Sequence, residues 1–261
     1  MLAAIRCEKG DLDGNLAAHL RVLAEAAAAG CDLVLFPEMS LTGSVDPAVH
    51  PGRLVAAGHR AVAALVRATG DRDIAACFGI AARTAAGLPM IAQIVAAGGA
   101  VAGIQFKRYL GEGEEAYAAG SESVLFTHAG VGFAVAICAE AGYDSPFDSA
   151  AAAGVPLVLF PAAPGLYGRR DTDESWRRGL SWWESAGLAD ARRHAGRLGI
   201  WIALAGQAGS TADEDFPGLA ALVAPDGSVA ARLPDWRAGL LVVDLPLPSG
   251  RDQLPGVTSR P

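Results

Sequence analysis

Apolar and polar positions alternate along this chain with two different periods, and the switches between them divide it into strands and helices. Residues 1–7 are a short apolar run that predicts a first strand. Between residues 11 and 29, leucines stand at 12, 16, 20 and 23 with polar residues between them, a helical spacing that Gly30 closes. Residues 32–37 form a continuous apolar strand with Glu38 at its carboxyl end. A loop over 39–47 follows, and Leu54, Val55, Val62, Leu65 and Val66 then predict a second helix ending at Gly70. Residues 74–82, 88–97 and 100–106 are β segments joined by turns too short for helices, so antiparallel pairing is expected. Lys107 ends the last of them, and a glycine-interrupted loop rich in carboxylates runs to Gly120. Strands over 123–128 and 131–138 come next, the second carrying Cys138 at its end. Ser145, Pro146 and Asp148 look like an N-cap, a first helical position and a capping-box acid. A strand over 155–161, a loop carrying Tyr167, Trp176, Trp182 and Trp183, a helix to about 198 and four strands near 200–205, 219–224, 228–233 and 239–245 complete the pattern. The Pro- and Gly-rich stretch 246–261 is expected to be an extended arm of a single domain spanning 1–261.

One unit occurs twice. The helix end and strand of residues 26–38, AAAAGCDLVLFPE, return at 150–162 as AAAAGVPLVLFPA. The repeat predicts two related halves, with residues 33–37 and 157–161 central in two sheets that face each other between helical layers. The second copy ends in Ala162 where the first has Glu38, so the helix–strand unit itself does not require a carboxylate there.

Composition narrows the function. A net charge of −7 leaves no basic stripe to neutralise phosphates, so a nucleic-acid partner is not expected. No apolar stretch approaches a membrane span, and the opening residues resemble a strand more than a secretion signal, so a cytoplasmic protein is expected. The four cysteines are widely and unevenly spaced, fitting neither a zinc site nor a disulfide scaffold, and the five histidines form no ligand motif, so neither metal nor organic cofactor is expected. Of 21 basic residues only Lys9 and Lys107 are lysines. A lysine so placed offers a compact charge that arginine does not replace well.

Glu38, Lys107 and Cys138 thus stand at the carboxyl ends of predicted core strands, where α/β folds gather reactive groups. Singly, each is as well explained as a loop carboxylate, a solvated charge and a packing thiol. Together they supply a base, a cation for a developing oxyanion and a nucleophile, a complete set for acyl transfer. The stretches LVLFPEMSLTG at 33–43, FKRYL at 106–110 with EEAYAAG at 114–120, and GFAVAICAE at 132–140 resemble, in order, the Glu, Lys and Cys motifs of the nitrilase superfamily of carbon–nitrogen hydrolases. That resemblance implies an αββα sandwich of two face-to-face mixed sheets flanked by helices, commonly dimerised. It also implies Glu38 as general base, Lys107 as oxyanion stabiliser, Cys138 as nucleophile and Glu114 as a second, positioning glutamate. The backbone N–H of Ala139 would share the oxyanion, and Glu140, Tyr167 and Trp183 are candidate substrate-binding residues. The expected reaction is hydrolysis of a small amide through a thioester. Nitrilase, N-carbamoyl hydrolase and acyltransferase chemistry are alternatives, as is a binding or regulatory protein on the same fold. Ala139-Glu140 after the nucleophile lacks the tryptophan of nitrilases proper, which favours an amidase.

Overall fold

The computed structural model describes residues 1–246. The chain opens with β1 (Leu2–Ala4) and α1 (Leu12–Ala28), whose Asp11 side chain accepts from Gly14 N at 3.0 Å as the N-cap. β2 (Leu33–Leu35), α2 (Arg60–Arg72), β3 (Ala75–Arg83), β4 (Pro89–Ala97) and β5 (Ala100–Phe106) follow. Then come β6 (Leu125–His128), β7 (Val131–Val135), α3 (Ser145–Ala152) and β8 (Leu157–Ala162). The remainder is α4 (Asp173–Trp183), α5 (Ala189–Leu198), β9 (Trp201–Gly206), β10 (Ala208–Ser210), β11 (Asp215–Pro217), β12 (Ala220–Val223), β13 (Val229–Arg232) and β14 (Gly239–Leu241). Most of the expected 246–261 arm, from residue 247 on, lies outside the described residues.

Two six-stranded mixed sheets carry the fold, in the orders β14-β1-β2-β3-β4-β5 and β13-β12-β9-β8-β7-β6. β2 lies between parallel neighbours β1 and β3, and β8 between parallel neighbours β7 and β9, so the two copies of the repeat are interior strands of different sheets, as expected. The period-2 alternation decides which layer each side chain joins. Leu35, Cys77 and Val95 of the first sheet meet Phe133, Leu159 and Ala203 of the second in a shared core. Val34, Phe36 and Phe78 point the other way, under Val22, Leu23, Val62 and Leu65 of α1 and α2. Val158, Phe160 and Leu204 do the same beneath Phe147, Leu180 and Ala191 of α3, α4 and α5. Each valine, leucine and phenylalanine among them contributes roughly 1.5–3 kcal/mol when fully buried, which makes a one-residue register slip prohibitive. The result is the αββα sandwich.

Several local expectations are corrected. Leu54 and Val55 precede the second helix; Val55 bridges Ala82, and Gly70 lies inside α2, which ends with Asp73 in the left-handed region at φ 51°. At α3 the N-cap is Asp144 and not Ser145, and no side chain caps the helix. The tryptophans at 176, 182 and 183 sit on α4, which runs through a π-helical turn at Glu184–Leu188 into α5. Thr172 and Ser175 form its capping box. The sequence carried that signal together with apolar positions 176, 180 and 183, but the aromatic cluster and Gly179 obscured it. No helix among the described residues is long and apolar enough to cross a membrane.

Candidate active site

β7 stops at Val135, and Cys138 begins a 3₁₀ turn, Cys138–Gly142, with φ at 47°. The cysteine therefore stands past the strand and not within it, as the apolar run suggested. A non-glycine residue in the left-handed region costs about 1 kcal/mol or more and persists only where the surroundings impose it. Glu140 imposes it here. One carboxylate oxygen accepts from Ile137 N at 2.7 Å, the other from Arg108 N at 2.8 Å and Arg108 Nε at 3.1 Å. Glu140, a candidate substrate-binding residue from sequence, is fully buried with both its oxygens taken, and it braces the turn that presents Cys138.

Lys107 follows β5, with its N–H on Ile91 O at 2.9 Å and its carbonyl accepting from Gly120 N at 2.7 Å. Its ammonium lies between two carboxylates, 2.7 Å from Glu38 Oε1 and 2.6 Å from Glu114 Oε1. The second oxygen of Glu38 accepts from Ala163 N at 3.1 Å, and that of Glu114 from Gly111 N at 2.6 Å. Both acids are thus fixed at each oxygen. Burial disfavours the Lys107 ammonium, but Glu38, Cys138 and Glu114 outweigh it and hold its pKa above the usual lysine range. Burial first, then the charge of Glu38, raises the Glu114 carboxyl, against the pull of Lys107. Burial and Glu38 likewise push the Cys138 thiol well above its ordinary value, with Lys107 opposing. At neutral pH this site holds a thiol and needs a base to make a thiolate.

Lys107, Glu114, Cys138, Ala139, Tyr167 and Trp183 share the wall of a cavity of 330 Å³. Glu38 is buried behind Lys107. Trp183 is held with its ring against Gly187 in the π-helical turn, where a Cβ would overlap the indole. Tyr167, exposed and at φ 50°, hangs at the mouth. With Glu112, Gly165 and Trp182 it also borders an outer cleft of 590 Å³ that adds Arg170 and Arg178. Sequence reasoning missed the Ala163 N–H, although the repeat pointed to it, since Ala163 follows the residue matching Glu38. It also missed Glu112 and Asp190, which line the cavity without a motif to announce them.

The carbon-nitrogen hydrolase family model matches residues 2–253. Among solved structures, a glutamate-to-glutamine variant of the amidase from Nesterenkonia sp. AN1, showing Michael addition of acrylamide at its active-site cysteine, is 25% identical. That match covers 94% of this chain and 92% of the other, with a TM-score of 0.76. The same amidase variant with the acetamide moiety of fluoroacetamide on that cysteine matches at a TM-score of 0.79 and 25% identity, over 94% and 89% of the two chains. Glutamine-dependent NAD+ synthetase from Acinetobacter baumannii shares the fold at 20% identity and a TM-score of 0.73, over 91% of this chain and 43% of its own. No curated protein matches.

Proposed function

The chain belongs to the carbon–nitrogen hydrolase family, and we propose that it hydrolyses small carboxamides through a thioester on Cys138. The observation that carries this reading is the Lys107 ammonium clamped between Glu38 and Glu114 on a cavity whose wall also carries Cys138. Glu38 takes the thiol proton as Sγ attacks the amide carbon. The developing oxyanion is met by the Lys107 ammonium and the Ala139 N–H. As the tetrahedral species collapses, Glu38 returns the proton to the leaving nitrogen and ammonia or an amine departs. A water then loses a proton to Glu38 and attacks the thioester carbon, the C–S bond breaks, and the proton returns to sulfur, releasing the acid. The raised thiol pKa supports a base-assisted attack over a standing thiolate, and the persistent charge on Lys107 suits an oxyanion donor. Glu114 acts by holding Lys107. The amidase neighbours, whose active-site cysteine takes up acrylamide and an acetamide moiety, favour an amide over a nitrile. That the enzyme works as a homodimer belongs to the same proposal and rests on the high apolar fraction and the family resemblance.

Intact-protein mass spectrometry combined with ammonia release tests the assignment. Cys138→Ala is expected to lose both the acyl adduct and turnover, and Lys107→Ala to lose about 10²–10³ in kcat while keeping the thiol. Amide hydrolysis by Cys138→Ala, or an adduct mainly on Cys7, Cys31 or Cys77, would sink it.

A further inference from the structure

Beneath the loop that carries Glu38 lies a buried histidine that the mechanism above does not use. His19, on α1, and Ser40, two residues after Glu38, are both fully buried. His19 Nδ1 lies 2.7 Å from Asn15 O, and Nε2 lies 2.9 Å from Ser40 Oγ. A carbonyl can only accept, so Nδ1 carries a proton, and in the neutral imidazole that full burial favours Nε2 is the acceptor. The Ser40 hydroxyl must then donate to Nε2, which leaves its lone pairs to accept from Gly79 N at 3.1 Å. The direction of every bond from α1 to β3 is therefore fixed. Phe36 stacks on the imidazole with ring centroids 4.2 Å apart and blocks its rotation. Gly79 O in turn accepts from Leu41 N at 2.9 Å, so the chain around Met39 is tied to both backbone polar groups of Gly79, on the β2-side edge of β3. Gly79 has no room for a side chain: a Cβ there would overlap Met39 N and lie 2.9 Å from the Glu38 carbonyl carbon. The Glu38–Met39 peptide rides directly on β3, and Met39 is held at φ 46° to do so.

We propose that His19 and Ser40 are positioning residues for Glu38: the imidazole fixes the serine hydroxyl, the hydroxyl fixes the Gly79 N–H, and the crossing of the Glu38–Met39 peptide over β3 is locked in consequence. This deepens the proposed function and rests on Glu38 being the base. A carboxylate whose two oxygens must meet Lys107 and Ala163 N–H tolerates little backbone drift, and displacements near 1 Å cost on the order of 10²-fold in rate. Loss of one lock among several is expected to cost about tenfold.

The test is a double-mutant cycle on single-turnover acylation of Cys138 by p-nitrophenyl acetate, followed by intact mass. Ser40→Ala is expected to acylate about tenfold more slowly than the parent, with half-saturating ester concentration unchanged. In a Glu38→Gln background, where no base remains to be positioned, the same substitution is expected to cost nothing further. His19→Phe, which keeps the stack on Phe36 but removes both ring nitrogens, should reproduce the pattern and covers the case in which Ser40→Ala fails to fold. Equal fractional losses in both backgrounds, or no loss in either, overturn the inference. If the parent enzyme itself is not acylated at Cys138, the proposed function fails first, and a different reading of Glu38 is required.

Discussion

The two copies of the repeat agree at ten of thirteen positions and part company at the last. β2 and β8 each follow a helix with an alanine-rich end, each lies between two parallel neighbours, and each belongs to a segment that reads Leu-Val-Leu-Phe-Pro. Past that proline, β8 stays in its sheet, pairing Pro161 with Ala205 and Ala162 with Gly206. β2 leaves earlier. Its last ladder pair is Leu35 with Cys77, after which the chain climbs over β3 at Gly79. Extending the two registers by the same count places Gly79 and Ala205 at equivalent positions. The copy that carries the acid has the neighbour without a side chain, and the copy that carries Ala162 has the neighbour with one. The Ala163 N–H that follows the second copy donates to Glu38 at the end of the first. A pseudo-symmetric frame brings two strand ends together, and the site is built where the symmetry breaks.

The largest effect that would sharpen this comparison is expected from Gly79→Ala. The added methyl must displace Met39 N and also the Gln93 amide oxygen, which lies 2.7 Å from the ideal Cβ position. Pushing the Glu38–Met39 peptide outward separates the carboxylate from Ala163 N–H and Lys107. A loss of about 10² in kcat is expected from the misplacement, with about 1–3 kcal/mol of destabilisation from overpacking. Ammonia release and urea denaturation read the two separately. Unchanged kcat with a normal fold would mean that the glycine is incidental and that the asymmetry between the copies has no bearing on catalysis.

What was legible in the sequence follows the same division. The repeat predicted two facing sheets because apolar runs and their periods are properties of single segments, and burial enforces them. Glu38 and Lys107 were legible because each closes an apolar strand, and Glu114 through the family resemblance; the structure places both acids 2.6–2.7 Å from the Lys107 ammonium. The left-handed conformations of Met39 and Cys138 were not, since neither is glycine and both are imposed by long-range partners: Gly79 for the first, Glu140 with Arg108 for the second. The bracing contacts of Glu140 went unread for that reason. An acid two places after a nucleophile suggests substrate contact until its oxygens are seen to be occupied by backbone N–H groups. Ser145 lost the N-cap to Asp144 because the 3₁₀ turn before α3 sets where the helix begins.

A second difference between the copies is the latch under Glu38. Displaced by the repeat interval, His19 corresponds to Tyr143 and Ser40 to Pro164, so the second copy has no equivalent pair. The His19 ring faces the Asn15 carbonyl, the Ser40 hydroxyl and the Phe36 ring, and burial lowers its pKa from 6.5 to about 4. Because the folded pKa lies below the unfolded one, the unfolded chain binds more protons between those values, and stability falls as pH drops through that window. The contribution is fully present above pH 6.5 and its loss amounts to about 2 kcal/mol by pH 5 and roughly 3 kcal/mol near pH 4. Urea midpoints of the parent and His19→Phe from pH 7.5 to 4.5 isolate this contribution from the titrating carboxylates. Parallel pH profiles would show that the imidazole is not neutral and locked as the hydrogen bonds require.

The smallest expected effect is the control for the first. Ala205 is fully buried in β9, on the face shared by the two sheets, paired with Pro161 on one side and Ala220 on the other. Ala205→Gly removes a methyl group from that core and loosens the backbone of an interior strand, which together should cost about 1 kcal/mol or slightly more. No catalytic group crosses over Ala205, because β8 runs straight beside β9 where β2 climbs over β3. The added freedom therefore has no route to Glu38 except through Ala162 and the Ala163 N–H, and those are held by their own bonds: Gln207 N donates to Ala162 O at 2.9 Å. Stability is expected to fall while kcat and KM for amide hydrolysis stay within about twofold of the parent, against about 10² for Gly79→Ala. Comparable losses of kcat from both substitutions would mean that the sandwich transmits backbone change equally from either sheet and that the early departure of β2 is not what places the acid.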